Sequence, residues 1–323
     1  MRVATAERLR PSDPSGSHPP HPQGISDQKK PVIRVVSRGQ AAYSGGGIRE
    51  IAMSMDDVAR RGLVLLGCGK MGSALLDGWL KGGLPAASVW VIDPAPSDWL
   101  QGTGVHTNAD LPADPAVALV AVKPQMMGDA LPSMQALGGG GTLFVSVAAG
   151  TPLARFETAF GHETPIVRTM PNTPAAIGRG ISALIGNAAA TEAHVSLAEA
   201  LMGAVGQTVR LENEGQMDAV TAVSGSGPAY VFHLIESLAA AGVAQGLAPD
   251  LAMALAKATV GGAGQLAVDS AEDPAQLRRN VTSPNGTTQA ALEVLMNEDT
   301  GLPMLMARAV AAAAERSKEL ARG

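Results

Sequence analysis

Three glycines, Gly67, Gly69 and Gly72, sit in the run GCGKMGSA directly after the apolar stretch Leu63 to Leu66. In that setting one glycine allows a tight turn, one lets the backbone approach a pyrophosphate, and one lets a helix pack closely on a sheet. The loop Gly67, Gly69, Lys70, Met71 and Gly72 would then hold phosphate on free N–H groups at a helix start, where the helix dipole favours negative charge. An apolar run Val89 to Ile92 ends at Asp93, about 20 residues on, the distance at which an acid receives a ribose hydroxyl. A structural turn in another kind of α/β protein would use the same glycines, and Asp93 is what weighs against it.

Further groups stand after later apolar runs. Lys123 and Pro124 follow Val117 to Val122, and Asn172 and Thr173 lie between two prolines after Ile166 to Met170. Ligands of open α/β sheets bind beyond the carboxyl ends of strands, so these residues are expected to line a cofactor cleft. Either could equally be a plain turn. In the second half, SGSGPAY (Ser224 to Tyr230) and TSPNGTT (Thr282 to Thr288) collect hydroxyls, glycine and proline as small loops suited to an anion. In the second of these, Ser283 offers a hydroxyl, Gly286 and Thr287 offer amides to a carboxylate, and Thr287 or Thr288 can cap a helix or meet a reacting atom. Hydroxyls outnumber strong acids and bases, which suits hydride transfer to an already protonated imine, where the protein chiefly positions two reactants.

The elements that would hold these groups alternate. Strands are expected at Leu63 to Leu66, Val89 to Ile92, Val117 to Val122, Thr142 to Val147, Ile166 to Met170, Ile181 to Ile185 and Thr208 to Leu211. Helices are expected after the glycine loop, with Met71, Ala74, Leu75 and Leu80 as the apolar stripe, and at Gln125 to Ala136, Pro152 to Phe160 and Glu192 to Met202. This alternation reads as βαβ units forming a parallel, Rossmann-type dinucleotide-binding domain over residues 60–213. Residues 214–323 read as an all-α domain, with helices at Ala219 to Gln245, Pro249 to Val268 and Gln289 to Met296. Its Ala- and Gly-rich helices would allow close approach to a second copy of the chain or ordinary packing within one chain.

The chain has 323 residues, of which 46% are hydrophobic and only 3% aromatic, so aliphatic side chains must build its core. A net charge of −5 argues against a nucleic-acid partner, and no apolar run reads as long enough for a membrane helix. Cys68 is the one cysteine, which excludes an internal disulfide and fits the reducing cytoplasm. His18, His21, His106, His162, His194 and His233 are scattered without metal-ligand spacing, so no metal site is expected. Residues 1–55 hold six of the 22 prolines and eight Lys or Arg against four Asp or Glu. They read as a disordered extension, an interaction or targeting arm, or an over-long start, with Met53 or Met55 as alternative starts.

GCGKMGSA, VKPQ, MPNTPA, DAVTAVSGSGPAYVF and VTSPNGTTQAAL, in this order and spacing over residues 60–320, resemble the pyrroline-5-carboxylate reductase family. The resemblance implies reduction of 1-pyrroline-5-carboxylate to L-proline with hydride from NADH or NADPH, the last step of proline biosynthesis. It also implies a homodimer, often assembled further, whose interlocked helical domains build each site from two chains. By position, Ser283, Gly286 and Thr287 would bind the substrate carboxylate and Thr288 would hydrogen-bond the ring nitrogen. Gly67, Gly69 and Lys70 would cradle pyrophosphate, and Lys123, Pro124 and Asn172 would line the cofactor cleft.

Two positions depart from the family pattern. Asn285 stands where a glycine is common, and asparagine tolerates left-handed backbone better than most residues. Asp93, followed by Pro94-Ala95-Pro96, puts a carboxylate where a ribose 2′-phosphate would be repelled, so NADH is favoured over NADPH. Two other readings compete: another imine or 2-hydroxy acid oxidoreductase of the same plan, in which Lys257 would have to act, and a dinucleotide-binding scaffold without turnover.

Overall fold

The structure is a computed structural model and describes residues 53–322. Except for Met53 to Met55, the expectations for residues 1–55 lie outside the described residues. Helix α1 (Met55–Arg61) was not expected; Ser54 caps it in a reciprocal pair with Asp57.

Eight strands form one sheet: β1 (Leu63–Leu66), β2 (Val89–Ile92), β3 (His106–Thr107), β4 (Val117–Val120), β5 (Leu143–Ser146), β6 (Ile166–Met170), β7 (Gly180–Gly186) and β8 (Gly206–Arg210). Their order, β3-β2-β1-β4-β5-β6-β7-β8, contains the doubly wound dinucleotide-binding arrangement, with the reversal of direction between β1 and β4. β1 is a continuous apolar run because both its faces are covered. Leu63 and Leu65 join one buried cluster, and Val64 and Leu66 join the other.

The sheet is not parallel throughout, as the alternation had suggested. β7 pairs antiparallel with β6, and β8 then runs parallel to β7. Only residues 171–179 join β6 to β7, too few for a parallel crossover, whereas the longer segment from β7 to β8 carries a helix.

Helix α2 (Lys70–Lys81) buries Gly72, Leu75, Leu76 and Trp79, so its inward stripe is turned from the expected Met71, Ala74, Leu75 and Leu80. The Trp79 indole N–H donates to the Leu201 carbonyl at 2.9 Å and ties α2 to the helix that carries Leu201. After α3 (Asp98–Gln101), the expected helix over Gln125 to Ala136 is instead a chain of short turns. Its α part is confined to α4 (Met127–Ala130), followed by a 3₁₀ segment Leu131–Leu137. Pro132 lacks the N–H that an α-helix needs, and Leu131, Met134 and Leu137 are buried at the period of three that a 3₁₀ turn presents. Helices α5 (Leu153–Phe160) and α6 (Glu192–Gly203) stand as expected.

Beyond β8 the described chain is helical: α7 (Met217–Val220), α8 (Gly227–Ala244), α9 (Pro249–Asp269), α10 (Pro274–Asn280), α11 (Thr287–Leu295) and α12 (Leu302–Ala321). α10 and α12 were not expected. α8 and α9 pack through small residues, Ala239 against Ala252 and Ala256. α9, 21 residues long, has the length and composition to cross a membrane, at a mean hydropathy of 1.3 in an 18-residue window, so the expectation that no run is long enough does not hold. Large apolar side chains on these helices face outward, among them Phe232, Leu251, Leu255 and Val294, the last 71% exposed.

Candidate active site

The cofactor residues read from the sequence gather at the carboxyl edge of the sheet. Gly67 follows β1, Asp93 follows β2, Lys123 and Pro124 follow β4, and Asn172 follows β6. Gly67 has φ +90, a conformation that L side chains rarely adopt. A Cβ on Gly72 would run into the Gly67 carbonyl oxygen, so the close approach of α2 to its loop requires glycine there. Gly69 meets nothing within 4 Å of where a Cβ would sit, leaving open space above the helix start.

The first turn of α2 begins when the Ser73 N–H donates to the Gly69 carbonyl at 2.8 Å. The N–H groups of Lys70, Met71 and Gly72 precede that bond and are the orphan donors of a helix start. Lys70 is exposed, Met71 half-buried and Gly72 buried. These groups, with the space beside Gly69, suit a pyrophosphate.

The Asp93 carboxylate is tied to the same loop. Its Oδ2 accepts the Cys68 N–H at 2.7 Å and its Oδ1 accepts the Ala95 N–H at 2.9 Å. An ionised carboxylate offers about four acceptor sites, so capacity remains for a ribose diol. Burial, and then the Asp93 charge, push the Cys68 thiol up to about 11.

Lys123 is exposed and leads, through Pro124, into a 3₁₀ turn that stops the chain after β4. Asn172 is half-buried and both ends of its amide are engaged: Oδ1 accepts the Ile181 N–H at 3.0 Å, and Nδ2 donates to the Ser224 carbonyl at 3.2 Å. It therefore ties the loop after β6 to Ile181 and to Ser224.

SGSGPAY is not a loop. Thr221–Gly225 form a π turn that runs on through Ser226 into α8. Ser224 Oγ donates to Val220 O at 3.0 Å and Tyr230 Oη to Ala222 O at 3.1 Å, so these hydroxyls are engaged with nearby backbone. The π turn frees backbone carbonyls, one of which receives Asn172.

TSPNGTT does form a turn, before α11. Asn285 has φ +57, the left-handed conformation its residue type was expected to tolerate. The Gly286 N–H is closed on Ser283 O at 3.0 Å and the first helical bond is that of the Ala290 N–H to Gly286 O at 3.2 Å, so the amides left at this helix start are those of Thr287, Thr288 and Gln289. Ser283 and Thr287 are exposed, and Thr288 is half-buried. Among the described residues, the turn and side-chain hydrogen bonds of residues 282–288 stay within residues 278–290, and none joins this turn to the glycine loop or to Asn172.

Sequence reading missed the join between sheet and helices. Arg168 on β6, its side chain 5% exposed, pairs with Glu214 at 2.6 Å, and the same Glu214 oxygen accepts the Leu153 N–H at 2.8 Å. It also missed Asn108, whose positive φ of 51 marks it, although no sequence pattern does.

A family model for pyrroline-5-carboxylate reductase dimerisation matches residues 214–320, and one for coenzyme F420-dependent NADP oxidoreductases matches residues 62–150. The pyrroline-5-carboxylate reductase of Pseudomonas aeruginosa is 41% identical over 265 residues, covering 80% of this chain and 96% of the relative. The chain belongs to the pyrroline-5-carboxylate reductase family. It is thereby an NAD(P)-dependent oxidoreductase of the class acting on CH–NH groups. Solved structures agree. That of a pyrroline-5-carboxylate reductase from Coxiella burnetii has a TM-score of 0.75 at 33% identity, over 80% of this chain and 98% of its own. That of a Plasmodium falciparum pyrroline carboxylate reductase with NADP bound has a TM-score of 0.71 at 29% identity, over 81% of this chain and 99% of its own.

Proposed function

We propose that the chain reduces 1-pyrroline-5-carboxylate to L-proline, the last step of proline biosynthesis, with NADH as the favoured cofactor, as a homodimer of the cytoplasm. The observation that carries this reading is membership of the reductase family across 96% of a relative's length, with both the glycine loop and the left-handed Asn285 turn formed.

The bound nicotinamide supplies the hydride. The chain's own residues bind and orient. The helix start at Lys70 to Gly72 holds the pyrophosphate, and Asp93 receives the ribose hydroxyls. A 2′-phosphate about 5 Å from the Asp93 carboxylate would meet roughly 3 kcal/mol of repulsion per unit charge at an effective dielectric constant near 20. Pro124 and Asn172 shape the floor beneath the nicotinamide, with Lys123 at its rim. Ser283 and the amides at Thr287 and Thr288 take the substrate carboxylate, and the Thr288 hydroxyl meets the ring nitrogen. The Gly286 turn sets their direction. None of these is a strong acid, as befits an imine that arrives protonated.

Two features support a dimer with shared sites. The dimerisation family model covers the helices that expose Phe232, Leu251 and Val294. The hydrogen bonds of the TSPNGTT turn also close on its own helices. A second chain would bring that turn over the partner's cofactor.

Initial rates of NADH and NADPH oxidation by the purified protein, with 1-pyrroline-5-carboxylate and with a small keto acid, test this reading. Imine-dependent turnover that is faster with NADH is the expected result. Turnover with the keto acid alone would point to Lys257 and a different oxidoreductase, and cofactor binding without turnover would point to a scaffold.

A further inference from the structure

The two-residue strand β3 ends where a side chain continues it. The Asn108 backbone N–H donates to Val91 O at 2.8 Å, the last backbone bond between β2 and β3. Beyond it the Asn108 amide pairs with Asp93 as a strand would: Oδ1 accepts the Asp93 N–H at 2.9 Å, and Nδ2 donates to the Asp93 carbonyl at 2.8 Å. To reach both groups Asn108 takes φ +51, a conformation uncommon outside glycine.

Asp93 is thus gripped twice. Asn108 holds its backbone, and the glycine loop holds its carboxylate through Cys68. We infer that Asn108 is a positioning residue for cofactor selectivity, setting the place from which the Asp93 carboxylate meets the adenosine ribose. The inference rests on the reading that Asp93 receives that ribose. It assigns Asn108 no contact with substrate or nicotinamide, so its loss changes cofactor capture and leaves the chemical step alone.

The rest of β3 does not depend on this side chain. His106 stacks on Trp90 of β2 with ring centroids 4.5 Å apart, and the backbone bond from Asn108 to Val91 needs no side chain. Asn108→Gly keeps the positive φ accessible and removes both amide bonds, so it isolates the grip on Asp93.

The test measures KM and kcat for NADH and for NADPH, at saturating 1-pyrroline-5-carboxylate, in Asn108→Gly, Asn108→Asp and Asp93→Ser. Two lost hydrogen bonds predict that Asn108→Gly raises the KM for NADH about tenfold, with kcat and the KM for NADPH changed by less than about twofold. Asn108→Asp keeps the acceptor and loses the donor, so its NADH to NADPH ratio should fall between wild type and Asn108→Gly. It carries the same test if Asn108→Gly does not fold. Asp93→Ser should move the ratio in the same direction. An unchanged ratio in both Asn108 variants, or equal losses for both cofactors, alongside a shifted ratio in Asp93→Ser, overturns the role of Asn108. An unchanged ratio in Asp93→Ser overturns the ribose reading itself, and the inference with it.

Discussion

Asn172 joins the loop after β6 to the π turn before α8: its Nδ2 donates to the Ser224 carbonyl at 3.2 Å, while its Oδ1 accepts the Ile181 N–H at 3.0 Å. One half-buried amide therefore holds the loop after β6 against the helical half of the chain. Asn172→Ala leaves both partners unsatisfied, at a cost of about 1–3 kcal/mol. It should lower kcat/KM for the imine by about tenfold or more, through misplacement of the reactants. Asn172→Asp keeps the acceptor for Ile181 and loses only the bond to Ser224, so a smaller loss is expected. Steady-state kinetics with thermal melts of both variants check this, and equal effects would show that the Ile181 bond is idle.

Asn285 carries the left-handed step of the TSPNGTT turn at φ +57. Asn285→Gly should be neutral in stability and in KM for the imine, because glycine adopts that conformation freely. Asn285→Val should cost about 1–2 kcal/mol and raise the KM, because a β-branched residue resists it. Melting temperatures and imine titrations separate the two variants, and equal behaviour would mean that the turn does not need the left-handed step.

Among the described residues Glu214 is the one ion-pair partner of buried Arg168, and it also takes the Leu153 N–H. Glu214→Ala strands a buried guanidinium and should destabilise the fold by about 2–3 kcal/mol, below the full cost of a wholly buried pair because Glu214 is partly exposed. Glu214→Gln keeps an acceptor and should cost less. Denaturant unfolding of both variants gives the answer, and an unchanged midpoint for Glu214→Ala would show that solvent reaches Arg168.

On the proposed reading Thr288 touches substrate and not cofactor. Thr288→Ala should lower kcat/KM for 1-pyrroline-5-carboxylate by roughly 10- to 100-fold, the worth of a hydrogen bond to a charged group. The Kd for NADH, read by fluorescence, should stay the same. Comparable losses in both would remove Thr288 from the substrate side.

The strands were legible in the sequence because a strand buried on both faces must be apolar without interruption, as Leu63–Leu66 and Val117–Val120 are. The glycine loop and Asp93 were legible for a similar reason, since turn, helix and acid have fixed spacing. What could not be read depends on partners distant in sequence. β3 is two residues long and is held by a ring stack and the Asn108 side chain. The π turn at Thr221–Gly225 replaces a regular helix where Asn172 and Tyr230 claim its carbonyls. The segment after Pro124 shows apolar periodicity, but Pro132 turns it from an α period to a 3₁₀ one.

Cys68 lies inside the glycine loop, and its chemistry reports on that loop. Burial and the Asp93 charge raise its pKa to about 11, against about 8.5 for a free thiol. The folded chain therefore keeps the thiol proton to a higher pH than the unfolded chain does. Between about pH 9 and 11 the unfolded state releases it first, so stability is fully present below that window and falls as pH rises through it. At pH 8 the native thiolate fraction is only about one in a thousand, so alkylation of the native protein should be at least about 50-fold slower than of the denatured chain, and should rise only near pH 10. In Asp93→Ser the loss of the neighbouring charge should move that rise to lower pH. Native alkylation as fast at pH 8 as in denaturant would mean that the loop opens readily, and that the N–H bond from Cys68 to Asp93 does not hold it.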